Sequence, residues 1–291
     1  MTKSKIDLVK EKILLLKKKV RYESIRRNVL LMIKLTYFSR LVRLFARWQN
    51  SSEIKRLRNI HKGERCVIVG MGPSLKIEDL EKLKGTITFA CNKVFLAYEK
   101  TNWRPNYYTV SDVLIAKNSS EEIALTLQQS KGIFPEWVRH CLPENNDILW
   151  IPVAEKKEYF PGSGVGFSIN LENGIQPGGC TVLYDQIQIA FHMGFSEVIL
   201  IGVDFYYSGL KKTGEFSEQG EIVTSTGDVN HFHKDYLRPG ESSTVPKIEE
   251  QKIAYRVAKK VFEDSGRKLI NGSRKTFLEE LERGDFDELF S

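Results

Sequence analysis

A short apolar strand that runs through a glycine-rich turn into a helix constrains the fold most. The strand covers residues 65–70 (RCVIVG), and the turn continues as Met-Gly-Pro-Ser to Leu75. Apolar residues then recur at helical spacing from Ile77 to Leu83. A β-branched run that leads through glycines into a helix is typical of parallel sheets, which helices cover on both faces. The sequence therefore predicts an α/β, Rossmann-like, mostly parallel sheet with helices on both faces.

The rest of the body continues this alternation of short apolar runs and helical periods. Further strands are predicted at 86–91, 107–110, 148–152, 197–202 and 268–273, and helices at 121–128, 181–193 and 248–265. Two segments rich in Gly and polar residues, 159–179 and 208–229, are predicted to be mobile loops near the site. No internal repeat interrupts this order.

A basic N-terminal segment precedes the body. Residues 1–58 hold 17 Lys and Arg against four Asp and Glu, a net charge of +13, which leaves −6 for residues 59–291 of the total of +7. Residues 5–48 contain no Pro or Gly and predict a helix, but charged residues interrupt its richest apolar stretch, 29–45. That stretch is therefore too polar to span a bilayer. We predict a basic amphipathic helical arm, 1–58, ahead of a catalytic domain, 59–291.

Three partners are conceivable for such an arm, and the sequence favours two of them. It could lie on an anionic membrane surface, or it could pack on the body or on another subunit of a homo-oligomer. Nucleic acid is not expected, because no motif that reads a groove is present. The four cysteines are scattered without a CxxC pair, which indicates reduced thiols. We expect a cytoplasmic protein, attached peripherally to the inner face of the cell membrane if the arm binds lipid.

Polar residues stand directly after the predicted strands. Gly70 and Gly72 allow close backbone approach, and Ser74 is the expected N-cap of the helix whose amides would bind an anion. Asn92, Asp112 and Asp204 also follow strands, so they are expected at the carboxyl edge of the sheet, where open α/β folds bind ligands. The competing interpretation is that each is a solvated loop residue.

Two histidines, His231 and His233, lie in a segment dense in titratable groups, Asn-His-Phe-His-Lys-Asp-Tyr, before the last long helix. Imidazole titrates near neutrality, which suits proton transfer. A structural polar loop and a zinc site are the alternatives, but no further ligands have convincing spacing, so no metal site is predicted. His231, His233 and Asp204 are the candidate catalytic residues.

The motifs Val67–Leu75 (VIVGMGPSL), Cys91–Asn92 and Gly194–Tyr206 (GFSEVILIGVDFY) resemble those of known families. They are similar to the bacterial sialyltransferases of glycosyltransferase family 42 and to the wider 6-hydroxymethylpterin diphosphokinase-like proteins (domain of unknown function 115), over about residues 59–290. The resemblance implies a Rossmann-like nucleotide-binding fold, with Tyr206 near the donor phosphate and His231 or His233 as base on the acceptor. It implies that the CMP-sugar contacts Gly70, Gly72, Pro73, Ser74 and Asn92.

The expected function is a glycosyltransferase of bacterial surface-glycan biosynthesis. Its donor would be a nucleotide sugar, with a CMP-sialic-acid-like compound favoured, and its acceptor a glycan or lipid-linked glycan. No cofactor or metal would be required. The alternative is an ATP-dependent 6-hydroxymethylpterin diphosphokinase-like enzyme, which would hold Mg²⁺ on carboxylates such as Asp112 and Asp204. A third, non-enzymatic interpretation is a peripheral scaffold that retains the nucleotide fold.

Overall fold

The computed structural model describes residues 50–143, 147–155, 163–217, 220–244 and 247–291. The predicted helix over 5–48 lies outside these residues, as does most of the basic arm. The compact unit of the body begins at Ser52 and runs to Ser291. It begins ahead of the boundary expected from charge, because helical residues 50–57 (α1) place Ile54 in the core, where its carbonyl contacts the His192 ring.

Eleven strands form two sheets in the described part of the chain. They are β1 (Arg65–Val69), β2 (Ile87–Cys91), β3 (Tyr107–Thr109), β4 (Lys131–Pro135), β5 (Ile148–Ile151), β6 (Glu197–Ile201), β7 (Leu210–Ser217), β8 (Gly220–Ser225), β9 (Ser242–Thr244), β10 (Lys268–Asn271) and β11 (Glu282–Arg283). The main sheet has the order β11-β10-β6-β1-β2-β3-β4-β5, and every adjacent pair is parallel. The predicted Rossmann-like parallel sheet is confirmed.

Six further α-helices complete the described body. They are α2 (Ile77–Glu81), α3 (Val113–Asn118), α4 (Ser120–Leu127), α5 (Val182–Met193), α6 (Ile248–Asp264) and α7 (Phe286–Leu289). Helix α5 packs on β1 and β2 and is buried along its whole length, while α6 packs on α5 and β10. The Thr181 side chain caps the start of α5, and Gly194 ends the helix in a left-handed conformation. The first turn of α5 is thereby fixed beside the ends of the central strands.

The polar segment 208–229 is predicted to be a mobile loop, and the loop assignment is wrong. Strands β7 and β8 pair antiparallel within it, and β9 adds a third antiparallel strand. Strand β4 was also missed. Its sequence, KGIFP, combines a glycine and a proline with few apolar residues, so only its place between β3 and β5 makes it a strand.

Every helix in the described ranges is too short or too polar to cross a bilayer. Cys66 and Cys91 are buried in the core as free thiols, as the sequence predicts.

Candidate active site

The glycine-rich turn after β1 lies against the end of β6, where the strand order of the main sheet reverses. The Gly70 amide donates to the Ile201 carbonyl at 2.7 Å, and the Gly72 amide donates to the Gly202 carbonyl at 2.8 Å. A Cβ on Gly70 would lie 2.6 Å from the Gly202 oxygen, so no other residue fits there. Glycine at these positions therefore serves first to let two loops of the chain approach each other.

Asp204 occupies the place beside this turn that was predicted to receive an anion. Its carboxylate accepts hydrogen bonds from the Ser74 amide at 3.1 Å and from the Ser74 hydroxyl at 2.8 Å. The predicted N-cap role of Ser74 is wrong, because α2 begins later and Lys76 stands at its cap without a side-chain bond. Ser74 instead ties the first βα turn to the segment after β6.

The environment of Asp204 indicates a positioning role for a residue predicted to be catalytic. The side chain is buried, and burial raises the pKa of its carboxyl, while the bonds from Ser74 oppose that rise. Both carboxylate oxygens already have donors within the chain. The predicted anion contact at the Ser74 amide is thus made by the protein's own carboxylate.

A cleft of about 530 Å³ opens beside this turn, at the carboxyl ends of β2 and β3. The start of α5 and strand β9 complete its walls. Asn92 projects into it from a left-handed backbone conformation (φ 48°) at the end of β2, and the Tyr108 hydroxyl donates to its carbonyl. The side-chain oxygen of Asn92 is buried and accepts no hydrogen bond from the described residues. Asn92 thus lines the cleft with an unpartnered side-chain oxygen, and its contact with a nucleotide stays a prediction.

Lys93 follows Asn92 in the cleft wall, and the sequence analysis did not single it out. Its ammonium donates to the Tyr236 carbonyl at 2.8 Å and pairs with Glu241, ahead of β9. A buried lysine is costly without a partner charge, which explains this pairing. Lys93 thus joins the end of β2 to the segment that carries the histidines.

Asp112 lies at the rim as predicted, at the end of β3. One carboxylate oxygen accepts hydrogen bonds from the Leu114 and Ile115 amides and caps α3. Burial raises the pKa of this carboxyl, which the two amide bonds oppose. Among the described residues, no three His, Cys, Asp or Glu side chains are grouped to hold a metal ion.

The structure separates the two candidate histidines. The Nδ1 atom of His231 lies 2.8 Å from a carboxylate oxygen of Asp228, and its ring stacks on Tyr236 at 3.8 Å between centroids. His231 lines the cleft, whereas His233 accepts a hydrogen bond from the Asp235 amide at 3.2 Å and does not line it. Asp228, three residues before His231, was missed, although its spacing was visible in the sequence.

A second cavity of about 130 Å³ adjoins the cleft over the glycine turn. Gly70 and Gly72 line this cavity, and Pro73 and Ser74 do not. His231 lines both cavities and therefore lies where they meet.

Two tyrosines follow β6 and differ in environment. Tyr206, the predicted donor contact, is 57% exposed and lines only the smaller cavity. Tyr207 lines both cavities, and burial raises the pKa of its phenol to about 12. Tyr207 keeps its proton at neutral pH and can donate a hydrogen bond, a role that the sequence analysis did not assign.

Asp185 is a further cleft residue that the sequence analysis missed. It lies in the first turns of α5, where burial raises the pKa of its carboxyl to about 7 and the Ser111 side chain supplies a hydrogen bond. An acid within an otherwise apolar helical stretch was the available signal.

The chain is similar to known proteins in structure and in part of its sequence. No curated protein matches the chain. Among solved structures, the Maf glycosyltransferase from Magnetospirillum magneticum AMB-1 aligns with a TM-score of 0.45 at 16% identity, over 79% of this chain and 35% of that chain. The chain thus spans about a third of that protein. The sialyltransferase CstII from Campylobacter jejuni, in complex with a substrate analogue, cytidine-5'-monophosphate, aligns with a TM-score of 0.43 at 14% identity, over 77% of this chain and 86% of that chain.

A family model gives the more direct result. It covers residues 39–209, more than half of the chain, and includes the glycine turn, Asn92 and the segment after β6. The resemblance suggested by the sequence motifs is thereby confirmed at the level of the superfamily. The chain belongs to the family of 6-hydroxymethylpterin diphosphokinase MptE-like proteins.

Proposed function

We propose that the protein is a glycosyltransferase that uses a nucleotide-activated sugar, with a CMP-sialic-acid-like donor favoured. The observation that carries the proposal is the position of His231, held by Asp228 at the junction of two cavities at the carboxyl edge of the sheet. A general base for transfer to a hydroxyl must lie within hydrogen-bond reach of the acceptor, next to the bound donor. The motif resemblance to the family 42 sialyltransferases supports the same choice.

The contact with Asp228 determines which ring nitrogen of His231 carries the proton. The Asp228 side chain is fully buried, and its carboxylate can only accept, so Nδ1 of His231 carries a proton and donates it. The lone pair of Nε2 is then free to accept a proton. In the proposed step, Nε2 takes the proton of the acceptor hydroxyl while its oxygen bonds to the anomeric carbon. The bond from that carbon to the donor phosphate breaks, and its electrons leave with the nucleotide.

The larger cleft suits the nucleotide in size and in polar groups; of the residues expected to contact the donor it holds Asn92, whereas Gly70 and Gly72 line the smaller cavity. Its volume of about 530 Å³ lies within the range of small-molecule sites. The free Asn92 oxygen can accept a hydrogen bond, and the Tyr207 hydroxyl can donate one to a departing phosphate. Lys93 is paired with Glu241, and Lys247 is the other lysine that lines the cleft.

A second candidate function is ATP-dependent pterin diphosphokinase activity, which the family name favours. Mg²⁺ in such enzymes is held by carboxylates and phosphates. The two carboxylates predicted for that role, Asp112 and Asp204, hold backbone amides of their own chain instead. The residues present fit Mg²⁺ poorly, which supports the glycosyltransferase over this alternative.

The acceptor and cellular setting form a further part of the proposal. We infer a glycan or lipid-linked acceptor in bacterial surface-glycan biosynthesis, because the basic arm would hold the enzyme near anionic lipid at the cytoplasmic face of the membrane. Each Lys or Arg near such a surface contributes about 1 kcal/mol.

A nucleotide panel tests the proposal. The full chain is incubated with CMP, UDP, GDP and ATP, with and without Mg²⁺, and its thermal unfolding is followed. A ligand at 100 times its Kd should stabilise the protein by about 2.7 kcal/mol. Stabilisation by CMP without Mg²⁺ is expected. Stabilisation by ATP only with Mg²⁺, together with AMP release in the presence of 6-hydroxymethyldihydropterin, would favour the diphosphokinase.

A further inference from the structure

Two large aromatic rings are exposed side by side, and one of them, Tyr206, lines the smaller cavity. Tyr206 is 57% exposed and Phe277 is 54% exposed, and their ring centroids are 5.4 Å apart at an interplanar angle of 38°. The Nζ atom of Lys275 lies 5.9 Å from the centre of the Phe277 ring. We call Tyr206 and Phe277 the aromatic platform. Burying either ring would be favourable, so their joint exposure needs an explanation.

The backbone holds both rings in place. Phe205, just before Tyr206, has a left-handed conformation (φ 57°), and its own ring is buried beside Tyr255. This unusual conformation for a bulky residue separates a buried ring from an exposed one on consecutive residues. Strain of this kind persists only where the surroundings enforce it.

The loop that carries Phe277 is bonded to the segment after β6. The Ser273 hydroxyl accepts from the Val203 amide at 2.9 Å, and the Thr276 hydroxyl donates to the Val203 carbonyl at 2.6 Å. The Phe277 amide donates to the Asp204 carbonyl at 2.8 Å. The platform is therefore preorganised on two segments that are tied to each other.

The position of the platform relates it to the proposed chemistry. Tyr206 lines the cavity of about 130 Å³, and so does His231, whereas Tyr206 does not line the larger cleft. An acceptor hydroxyl must reach Nε2 of His231. When the donor fills the larger cleft, the acceptor can approach His231 only through the smaller cavity. The C–H bonds of one face of a pyranose ring suit the negative face of an aromatic ring.

We propose that the aromatic platform is the acceptor subsite and that it binds the pyranose ring of a saccharide. This inference rests on the proposed function and assigns Tyr206 to the acceptor rather than to the donor phosphate. The hydroxyl of Tyr206 can bond to sugar hydroxyls, and Lys275 flanks the site with a positive charge.

Saturation-transfer NMR on the full chain tests the subsite, with methyl β-galactopyranoside and methyl β-glucopyranoside as probes. Wild type should transfer saturation to at least one probe, and Tyr206→Ala and Phe277→Ala should lose that transfer. Tyr206→Phe, which keeps the ring, should retain it. Phe216→Ala is the matched control, because Phe216 is 75% exposed and lines neither cavity.

The nucleotide-induced thermal shift of the same variants separates this inference from the proposed function. Tyr206→Ala should keep the shift of the wild type. Loss of the shift in that variant would return Tyr206 to the donor and overturn the acceptor assignment. Saturation transfer that is absent in wild type or unchanged in both alanine variants would overturn the assignment too. A wild type that binds no nucleotide would overturn the proposed function instead.

Discussion

Replacement of Asp185 by Asn should remove a fall in the free energy of unfolding that the wild type shows as pH rises. The carboxyl is buried, and its pKa rises from an ordinary value of 3.8 to about 7 in the folded protein. Between these pH values the folded state holds one proton more than the unfolded state, so the free energy of unfolding falls as pH rises. The fall amounts to about 1.4 kcal/mol per pH unit and ends above pH 7, where both states are ionised.

The expected magnitude follows from that slope. From pH 5 to pH 8 the wild type should lose about 3 kcal/mol through this one carboxyl, because the slope acts only up to about pH 7. Asp185→Asn keeps the shape and the hydrogen bond to Ser111 but cannot ionise, so it should lose about 3 kcal/mol less over the same range. Other titrating groups act alike in both proteins and cancel in the comparison.

Urea unfolding at pH 5 and pH 8 provides the assay, with Glu99→Gln as the control at an exposed carboxyl. The control should follow the pH dependence of the wild type. Equal pH dependence in wild type and Asp185→Asn would refute the reasoning, since it would mean that Asp185 ionises in the folded protein as it does in water.

Three further substitutions test the packing of the glycine turn and two ion pairs. Gly72→Ala should lower the free energy of unfolding by about 1–3 kcal/mol in urea titrations, because its Cβ would meet Asp204 and lie 2.7 Å from the Gly202 oxygen. An unchanged midpoint would show that the glycine turn and the segment after β6 are not packed as described. Arg274→Met should cost about 3 kcal/mol, because it leaves the buried Asp79 carboxylate without the two bonds that Arg274 donates. Lys82→Met, which removes an exposed pair with Asp287 and a cation–π contact with Phe286, should cost less than about 1 kcal/mol, and equal losses in the two variants would contradict this assignment.

The local sequence pattern predicts most of the fold. Strands β1, β2 and β6 are continuous apolar runs, and α5 has both its Thr cap and its terminal Gly. The sheet of β7, β8 and β9 was missed because its strands are rich in polar residues and β7 is exposed along nearly its whole length, so the sequence shows no clear alternation of apolar residues there. Their pairing depends on the partner strand, which local pattern does not encode.

Local sequence pattern predicted the candidate site only in part, because it does not encode contacts between distant residues. Strand ends predicted Asn92, Asp112 and Asp204 at one rim, because parallel strands share their carboxyl edge; Asn92 and Asp112 line the larger cleft, and Asp204 lines the smaller cavity. The bond between Asp204 and Ser74 joins residues 130 positions apart, and no local rule predicts it. Through this bond Asp204, predicted to be catalytic, holds the glycine turn.

The most direct test of His231 as the proton acceptor is the rate of nucleotide release. It is measured for wild type, His231→Gln and His233→Gln, each supplied with the nucleotide sugar that the panel selects. Nε2 of His231 is the proposed proton acceptor, so His231→Gln should lower turnover by about 10²–10⁴-fold and keep the nucleotide-induced thermal shift. His233→Gln should turn over like the wild type, because that ring lies outside the cleft. Near-normal turnover by His231→Gln, or an equal loss in both variants, would contradict the account.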